Sequence, residues 1–302
     1  MCCKARCWWP CWPSWPTSVS TGWPTACRRM SAWSTEAMAW ASLPMYPWPQ
    51  PLTEHYWQWL RQRLQQLGEL SLPTHLYWPE DYLAHWREPG VLLSQSCGYP
   101  VSALLREQVQ VLGAFHYQLP GCADWRYSSA LLVRKSDARL ALADFHGRRV
   151  VCNERHSQSG YHALRAEVAT LAGVQPFFAQ VRFSGSHRAS AALLAAGEAD
   201  IAALDCVSHA LLARQQPQLF EQLACIGHTR LQPGLPLITA ASTPAATVAR
   251  LRQAIGDSLH AVELQAFFRE AAIDGFSPLA LSDYTCIADT AAHWRAAGMA
   301  EW

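Results

Sequence analysis

The chain has 302 residues, a formal net charge of +1 and 16% charged residues. Half of its residues are apolar, which suffices for a full core and excludes a chain that is disordered throughout. The near-neutral charge argues against a mainly electrostatic nucleic-acid-binding protein, which would carry a basic excess or stripe. No run of about 18 apolar residues is free of charges and prolines, so we expect no membrane-spanning helix.

Residues 1–37 differ from the rest of the chain in composition. They contain six of the fifteen Trp and five of the eleven Cys. Their prolines prevent a continuous helix, and the segment lacks the uninterrupted apolar stretch of a signal peptide. A cysteine-rich metal knuckle would need a CxxC pair or a nearby His, and the segment has neither. We interpret it as an extension, either disordered or added by a mis-assigned start codon, with synthesis beginning at Met30 or Met38; an export signal was then lost or never present.

The remaining six cysteines stand singly at positions 97, 122, 152, 206, 225 and 286. Single cysteines in a body of this size do not form a disulfide framework. We expect most of them to be buried and to pack as small hydrophobic residues. Reduced thiols of this kind also suit a cytoplasmic protein.

From residue 38 onward, short apolar runs alternate with helical patterns. In residues 38–126 we predict one helix, Thr53–Leu67, which Thr53 caps and Gly68 ends. The strands of this part are Met38–Leu43, Val91–Leu93 and Val109–Tyr117.

The next part, up to residue 234, repeats the alternation. Its predicted strands are Ala130–Arg134, Arg149–Cys152, Phe178–Phe183, Ile201–Leu204 and Leu223–Thr229. Its predicted helices are Ser157–Ala172, Ala189–Ala196 and Asp205–Ala213. Residues 235–302 open with a strand, Leu235–Ala240, followed by a helix with Thr243 as cap and Pro244 as first residue, and helical patterns continue to the end.

This alternation predicts an α/β fold with mainly parallel sheets. Polar clusters sit just after the strands, at 94–100, 153–160, 184–190 and 205–206. Ligands of open α/β sheets bind at that edge, so these clusters are the candidate site.

The order of several short segments resembles one family, the substrate-binding components of ABC transporters for phosphate and phosphonates, the PhnD-like group. Each segment alone is weak, but the ordered set covers nearly all of 38–302. The segments are residues 41–46 (ASLPMY), 94–100 (SQSCGYP), 127–129 (YSS), Asn153 with 157–161 (SQSGY), 185–187 (GSH), 197–202 (GEADIA), 205–206 (DC) and 233–236 (PGLP).

The resemblance implies a type 2 periplasmic-binding-protein fold, with two lobes of mainly parallel sheets flanked by helices and two hinge crossover strands. Lobe one would comprise 38–126 plus 235–302, and lobe two would comprise 127–234. A small oxyanion, phosphonate or phosphate, would bind in the cleft between them, and the lobes would close on it.

The resemblance further implies a monomer that works with an ABC permease and ATPase, without a cofactor, a metal or nucleic acid. It implies a periplasmic location, although residues 1–37 contain no recognisable signal peptide.

The strongest candidate for anion binding is Ser157-Gln158-Ser159-Gly160, where a predicted strand turns into a helix. A helix start offers free N–H donors and a positive dipole end, and a glycine lets the backbone approach a ligand closely. In the family that the chain resembles, this segment binds phosphonate oxygens, and the resemblance adds Asn153 beside it. The alternative is an ordinary N-cap by Ser157 or Ser159.

Two further polar groups of the same part are candidates. Ser186 and His187 follow a strand and precede a helix, so they either donate to the same anion or serve as a capping serine and a solvated histidine. Asp205 follows a buried strand and either faces the cleft, where it would meet an amino or hydroxyl group of the ligand, or caps the next helix; one carboxylate can do both.

The candidates of the first part are Tyr46, Ser94, Gln95 and Tyr99. A tyrosine can stack on the organic part of a ligand and donate one hydrogen bond. Ser94 and Gln95 would supply neutral donors, whereas Tyr99 can also pack before Pro100. A fifth candidate, Tyr127, lies at the predicted hinge and either touches the ligand or packs.

Two other functions use the same residues. A soluble sensor would bind the same ligand without a transporter. An enzyme on this fold, resembling the pyrimidine-precursor synthases of thiamine biosynthesis, would use a reactive histidine or a cysteine-rich segment, with Cys97 as a nucleophile. The chain lacks the GxSxG, HExxH, P-loop and GxGxxG motifs, and a buried structural Cys97 is the simpler interpretation.

Overall fold

The computed structural model describes residues 39–172, 175–299 and 301–302. The predictions about residues 1–37 lie outside the described residues. The strands are β1 Trp40–Ser42, β2 Val91–Gln95, β3 Val109–Tyr117, β4 Cys122–Ala123, β5 Arg126–Tyr127, β6 Ser129–Arg134, β7 Arg149–Cys152, β8 Gln180–Phe183, β9 Ile201–Asp205, β10 Leu223–His228, β11 Gln232–Pro233, β12 Pro236–Ala240 and β13 Ile273–Pro278.

The α-helices lie between these strands. They are α1 Gln50–Gln66, α2 Tyr82–Trp86, α3 Ala163–Ala172, α4 His187–Ala195, α5 Cys206–Gln215, α6 Pro217–Phe220, α7 Ala245–Ser258, α8 Gln265–Ala271 and α9 Thr285–Ala296. Two π-helical turns are Pro100–Leu104 and Gln158–His162, and 3-10 turns are Lys135–Asp137, Leu142–Phe145, Val262–Leu264 and Leu281–Tyr284. No helix in the described ranges combines the length and the apolar character that a bilayer crossing needs.

Lobe one is built on a five-stranded sheet in the order β1-β2-β12-β3-β13. Helix α1 covers it because Tyr56, Leu60 and Leu64 recur at spacings of four and form one buried face. Helix α7 buries Val248 and Leu251 in the same core. The polar cluster at residues 94–100 begins at the end of β2 and so lies at one edge of this sheet.

Lobe two is built on a second five-stranded sheet in the order β10-β6-β9-β7-β8. Its central strand β9 is buried along its whole length. The segments that follow β7, β8 and β9 are the serine turn, the loop before α4 and the start of α5, and because these three strands are parallel neighbours the segments come together at one edge.

The two sheets are linked by two crossover segments that pair with each other. Between β3 and β6 the chain forms the β4–β5 hairpin, and between β10 and β12 it forms β11, which pairs with β5. The C-terminal end adds a further link, because Met299 and Trp302 pack against the core of lobe two.

The two-lobed α/β class is confirmed, but the sheets are mixed rather than mainly parallel. In lobe one only the β1–β2 pair is parallel, and β12 runs antiparallel to both of its neighbours. In lobe two β6 and β10 run antiparallel. The reason is the crossovers: β6 and β12 enter their sheets directly from the other lobe, without the helical connection that makes neighbouring strands parallel.

Local boundaries differ from the predictions at three places. Helix α1 begins at Gln50, so Thr53 lies inside it and donates to the Pro49 carbonyl instead of capping. Pro244 is the N-cap of α7, one residue later than predicted. Strand β13 replaces part of the expected C-terminal helical pattern, because it pairs with β3 at the edge of the lobe-one sheet.

Candidate functional site

A cavity of about 350 Å³ lies between the two lobes, a size typical of small-molecule sites. Both lobes line it. Seven of the thirteen predicted site residues are in its wall: Tyr46, Asn153, Ser157, Ser159, Ser186, His187 and Asp205.

The serine turn begins directly after β7 and forms one wall of the cavity. Ser157 is the N-cap of the π-helical turn, and its Oγ accepts a hydrogen bond of 3.1 Å from the Gly160 N–H. The Gln158 N–H donates across the cleft to Cys97 Sγ at 3.3 Å. Ser157 thus caps the helix and lines the cavity at once.

Ser159 and His187 form a polar pair inside the cavity. Their Oγ and Nε2 atoms are 3.0 Å apart. Burial lowers the pKa of His187 to about 4, with a smaller opposing contribution from Glu154, so the imidazole is neutral at pH 7. Its Nδ1 atom is buried without a hydrogen-bond partner among the described residues. A neutral ring that accepts from Ser159 at Nε2 carries its proton on Nδ1 and can donate it to a ligand.

Asn153 and Gly160 pack against each other behind this pair. A Cβ placed on Gly160 would lie 1.9 Å from Asn153 Oδ1 and 3.2 Å from His187 Cε1. Glycine is therefore required at 160 by close packing.

Asp205 lies at the end of β9 and combines both expected roles. Its Oδ1 caps α5 by accepting from the N–H groups of Val207 and Ser208 at 2.8 and 2.9 Å. Its Oδ2 accepts from the Tyr46 hydroxyl at 3.1 Å across the cleft. Burial raises the pKa of Asp205 to about 6, although these three hydrogen bonds lower it.

Ser94 and Gln95 are drawn away from the cavity into lobe one. Ser94 Oγ lies 2.7 Å from Ser42 Oγ and accepts from Trp86 Nε1 at 3.2 Å, so it joins β1, β2 and α2. Gln95 is buried beside Tyr117. Neither side chain is in the cavity wall, because the turn after β2 presents Cys97 there instead.

Four other predicted residues also lie outside the wall. Tyr127 is buried next to Cys97 and Asp205. The Tyr99 ring stacks on His162 of lobe two with ring centroids 3.5 Å apart. The remaining two are Gln158 and Gly160, which belong to the serine turn but are not among the residues that line the cavity.

Cys97 is buried, and burial raises the pKa of its thiol to about 11. The thiol is protonated at neutral pH and accepts the Gln158 N–H, which is the behaviour of a structural cysteine and not of a nucleophile. The six cysteines are less uniform than expected: three are buried, Cys122 is half-buried, and Cys225 and Cys286 are exposed.

Sequence reasoning missed much of the remaining wall. The short helix α2 and the loop after β1 contribute apolar and aromatic groups, and the mouth carries charges. Missed residues include Met45, Tyr82, Trp86, Leu235, Glu154, His156 and Arg188. Helix α2 has five residues, too few for a periodic pattern in the sequence. Glu154 and Arg188 could have been predicted, because they follow the candidates Asn153 and His187 directly in the sequence.

Few charged side chains line the cavity, and carboxylates outnumber Arg and Lys side chains among them. Among the described lining residues Arg188 is the only Arg or Lys side chain, and it is exposed. Glu154 pairs with His156 at 2.9 Å, and this hydrogen bond raises the pKa of His156. No group of three or more potential metal ligands occurs among the described residues.

The sequence matches a family model over more than half of its length. Residues 96–284 match the family model described as ABC transporter, phosphonate, periplasmic substrate-binding protein. No curated protein sequence matches the chain.

Solved structures show the same fold at low sequence identity. A binding-protein component of an ABC phosphonate transporter from Pseudomonas aeruginosa aligns with a TM-score of 0.68 and 18% identity, covering 86% of this chain and 88% of that chain. PhnD1 from Prochlorococcus marinus, solved with methylphosphonate, aligns with a TM-score of 0.66 and 15% identity over 84% of this chain and 98% of that chain. A Xanthomonas citri protein bound to ATP aligns with a TM-score of 0.64 and 15% identity, covering 86% of this chain and 98% of that chain.

Proposed function

The chain belongs to the family of periplasmic substrate-binding proteins of ABC phosphonate transporters, and we propose that it holds a small phosphonate or phosphate in the cavity between its lobes. One observation carries the proposal: the serine turn and His187 from lobe two share a single cavity with Tyr46 and Asp205, where neutral donors face a carboxylate.

The anionic end of the ligand would bind at the serine turn. Of the first N–H groups of this helix start, that of Gln158 is taken by Cys97 and that of Gly160 by Ser157, which leaves those of Ser159 and Tyr161 for a ligand. The Ser159–His187 pair adds one further donor, His187 Nδ1–H, because the single hydroxyl proton of Ser159 is donated to Nε2. Neutral donors and a helix dipole suffice for an oxyanion, so no buried Arg or Lys is required.

The organic end would point toward Tyr46 and Asp205. The Asp205 Oδ2 atom accepts one hydrogen bond from Tyr46 and keeps a lone pair for a ligand ammonium or hydroxyl group. Met45, Trp86 and Leu235 in the wall offer apolar surface for a short carbon chain. This division of the cavity favours a phosphonate with a polar substituent over inorganic phosphate.

The partners follow from the family. A substrate-binding component of an ABC transporter delivers its ligand to a permease with an associated ATPase, and we propose that this chain does so as a monomer. The protein would act by binding and release, with no chemical step at the cavity.

Calorimetric titration of the full chain tests the ligand class. We expect methylphosphonate and 2-aminoethylphosphonate to bind. Ser159→Ala should weaken methylphosphonate binding by about 1–3 kcal/mol, because without the Ser159 hydroxyl the His187 proton is no longer held on Nδ1 and the hydrogen bond to the charged ligand is lost. The matched control is Ser282→Ala, an exposed serine of lobe one away from the cavity. If neither phosphonate nor phosphate binds the wild-type chain, the proposal is wrong; if they bind and Ser159→Ala changes nothing, only the serine turn is misassigned.

A further inference from the structure

Two cysteines that stand far apart in the sequence meet beside the crossover segments. Cys122 lies in the β4 strand of the hairpin, and Cys206 is the first residue of α5. Their Sγ atoms are 3.3 Å apart, although 84 positions separate them in the chain. No element of the proposed ligand site uses either thiol.

We propose that Cys122 and Cys206 form a disulfide that fastens the crossover hairpin to α5, the helix that Asp205 caps. The oxidant is a disulfide of the thiol–disulfide exchange class. The Cys122 thiolate attacks it, forms a mixed disulfide and releases one thiol; the Cys206 thiolate then displaces the second. The two cysteines lose two electrons and two protons, and the oxidant becomes two thiols.

Backbone contacts hold the two thiols in place. The Cys206 N–H donates to the Ser128 carbonyl at 3.1 Å, and both the N–H and the hydroxyl of Ser128 donate to the Gly121 carbonyl. A Cβ on Gly121, the residue before Cys122, would lie 3.0 Å from Cys206 Cβ, so the backbone of the hairpin passes close to the start of α5. The bond therefore needs only a small side-chain movement.

The surroundings make the pair accessible and favour its oxidised form. Cys122 is half-buried and reachable from solvent, whereas Cys206 is buried. The hydrogen bond with Cys206, burial and the nearby carboxylates of Asp205 and Asp274 all raise the pKa of Cys122. Exchange with an external thiol must expel Cys122 as a thiolate in this unfavourable environment, so the disulfide is reduced slowly once formed.

Other uses of the pair fit less well. A metal site would need further ligands, and no group of three or more such residues occurs in the described part of the chain. The family is periplasmic, and disulfides form and persist in that compartment.

Peptide mapping of the full chain tests the bond directly. Reduced protein is treated with oxidised glutathione at pH 8, free thiols are blocked, and the chain is cut with trypsin after Lys and Arg. The expected product is a linked pair of peptides, 107–126 and 189–214, each with one cysteine, that separates on reduction. Recovery of Cys122 and Cys206 only as blocked or glutathione-bound thiols would overturn the proposal.

Thermal unfolding of the same samples tests whether the bond fastens the fold. Because the bond closes a long loop, the oxidised wild-type chain should melt about 5–10 °C above the reduced chain. Cys122→Ser should lose this difference, and the double variant Cys225→Ser with Cys286→Ser, which removes two exposed cysteines, should keep it. A linked pair without any change in Tm would contradict the fastening role. The peptide map and the thermal unfolding are both measured without ligand, so their outcome is independent of whether the protein binds a phosphonate.

Discussion

Asp205 is the residue in which binding and stability oppose each other. Its carboxylate caps α5 and accepts from Tyr46, yet burial outweighs these hydrogen bonds and raises its pKa to about 6. A raised carboxyl pKa means that the folded chain binds a proton more tightly than the unfolded chain. The contribution of Asp205 to folding is therefore greatest below pH 4 and declines as the pH rises through about 6.

Asp205→Asn should consequently stabilise the ligand-free protein at pH 8. Asparagine keeps a capping oxygen, and it removes the cost of burying a charge, a pKa difference worth about 2–3 kcal/mol. We expect Tm to rise by about 4–8 °C at pH 8 and to change little at pH 4, measured by scanning calorimetry.

The comparison of wild type and variant at each pH provides the control. Burial also lowers the pKa of His187 to about 4 and that of His162 to about 3. The wild type and the variant therefore both lose stability in acid for reasons unrelated to Asp205. Only the difference between them reports on the carboxyl group. An equal Tm difference at both pH values would mean that Asp205 is not buried as a charge.

At the scale of elements, the serine turn depends on how closely β7 and the next helix approach. Asn153 at the end of β7 occupies the space where a side chain on Gly160 would be. The contact fixes Asn153 under the turn and sets the position of His187 beside it. The turn is thus shaped by packing as well as by its capping hydrogen bond.

Gly160→Ala should disturb both stability and binding. The added methyl group must displace Asn153, and such overpacking costs about 1–3 kcal/mol, measurable by urea unfolding. Because His187 is the next contact, we expect binding of methylphosphonate to weaken at least tenfold. Adding Asn153→Ala in the double variant should recover part of the stability, since it removes the clash.

Gly256→Ala is the matched control for this prediction. Gly256 lies within α7 and has no atom within 4 Å of an added Cβ. Alanine there should stabilise the helix by about 0.5–1 kcal/mol without changing ligand affinity. If Gly160→Ala behaves like this control, the close packing against Asn153 is wrong.

The sequence located the site better than it described the wall. Ser157, His187 and Asp205 could be found because each follows a strand, and parallel strands bring such positions together. The same rule misplaced Ser94, because hydrogen bonds to Ser42 and Trp86 draw it into lobe one. Contacts between distant segments leave no pattern in the local sequence. The approach of Cys122 to Cys206, 84 positions further along the chain, could therefore not be predicted.

The periodicity of apolar residues was sufficient to predict the α/β fold class. It was insufficient to predict whether neighbouring strands run parallel or antiparallel. Most strands of both sheets were predicted within a few residues. Strand β13 was missed because its six residues include Gly275 and Pro278 and show no apolar alternation. The antiparallel positions of β6 and β12 follow from the path between lobes, which no periodicity encodes.

At the scale of the whole molecule, the two lobes meet through contacts that differ in character. Tyr46 with Asp205 and Cys97 with Gln158 lie at the cavity. The stacked rings of Tyr99 and His162 lie outside it and join the turn after β2 to the serine turn. The Tyr99–His162 stack therefore joins the two lobes without lining the cavity.

Tyr99→Ala should weaken every ligand by the same factor. An aromatic pair contributes about 0.5–1.5 kcal/mol, so removing it shifts the lobes toward opening and raises Kd about two- to tenfold. We expect a ligand to bind the form in which the lobes are in contact, and its Kd then grows as that form becomes rarer, whatever the ligand is. Titrations with methylphosphonate, phosphate and 2-aminoethylphosphonate should give equal ratios of variant to wild-type Kd.

The control variant is Tyr77→Ala, because Tyr77 packs on Trp40, with ring centroids 4.8 Å apart, and on His85, and both of these residues belong to lobe one. It should lower stability and leave all three Kd values unchanged. Ratios for Tyr99→Ala that differ among the ligands would instead indicate a direct contact between Tyr99 and the bound molecule, as the sequence predicted. Small-angle scattering adds an independent check, since a shift toward opening must enlarge the radius of gyration of the ligand-free variant and saturating ligand must reverse it.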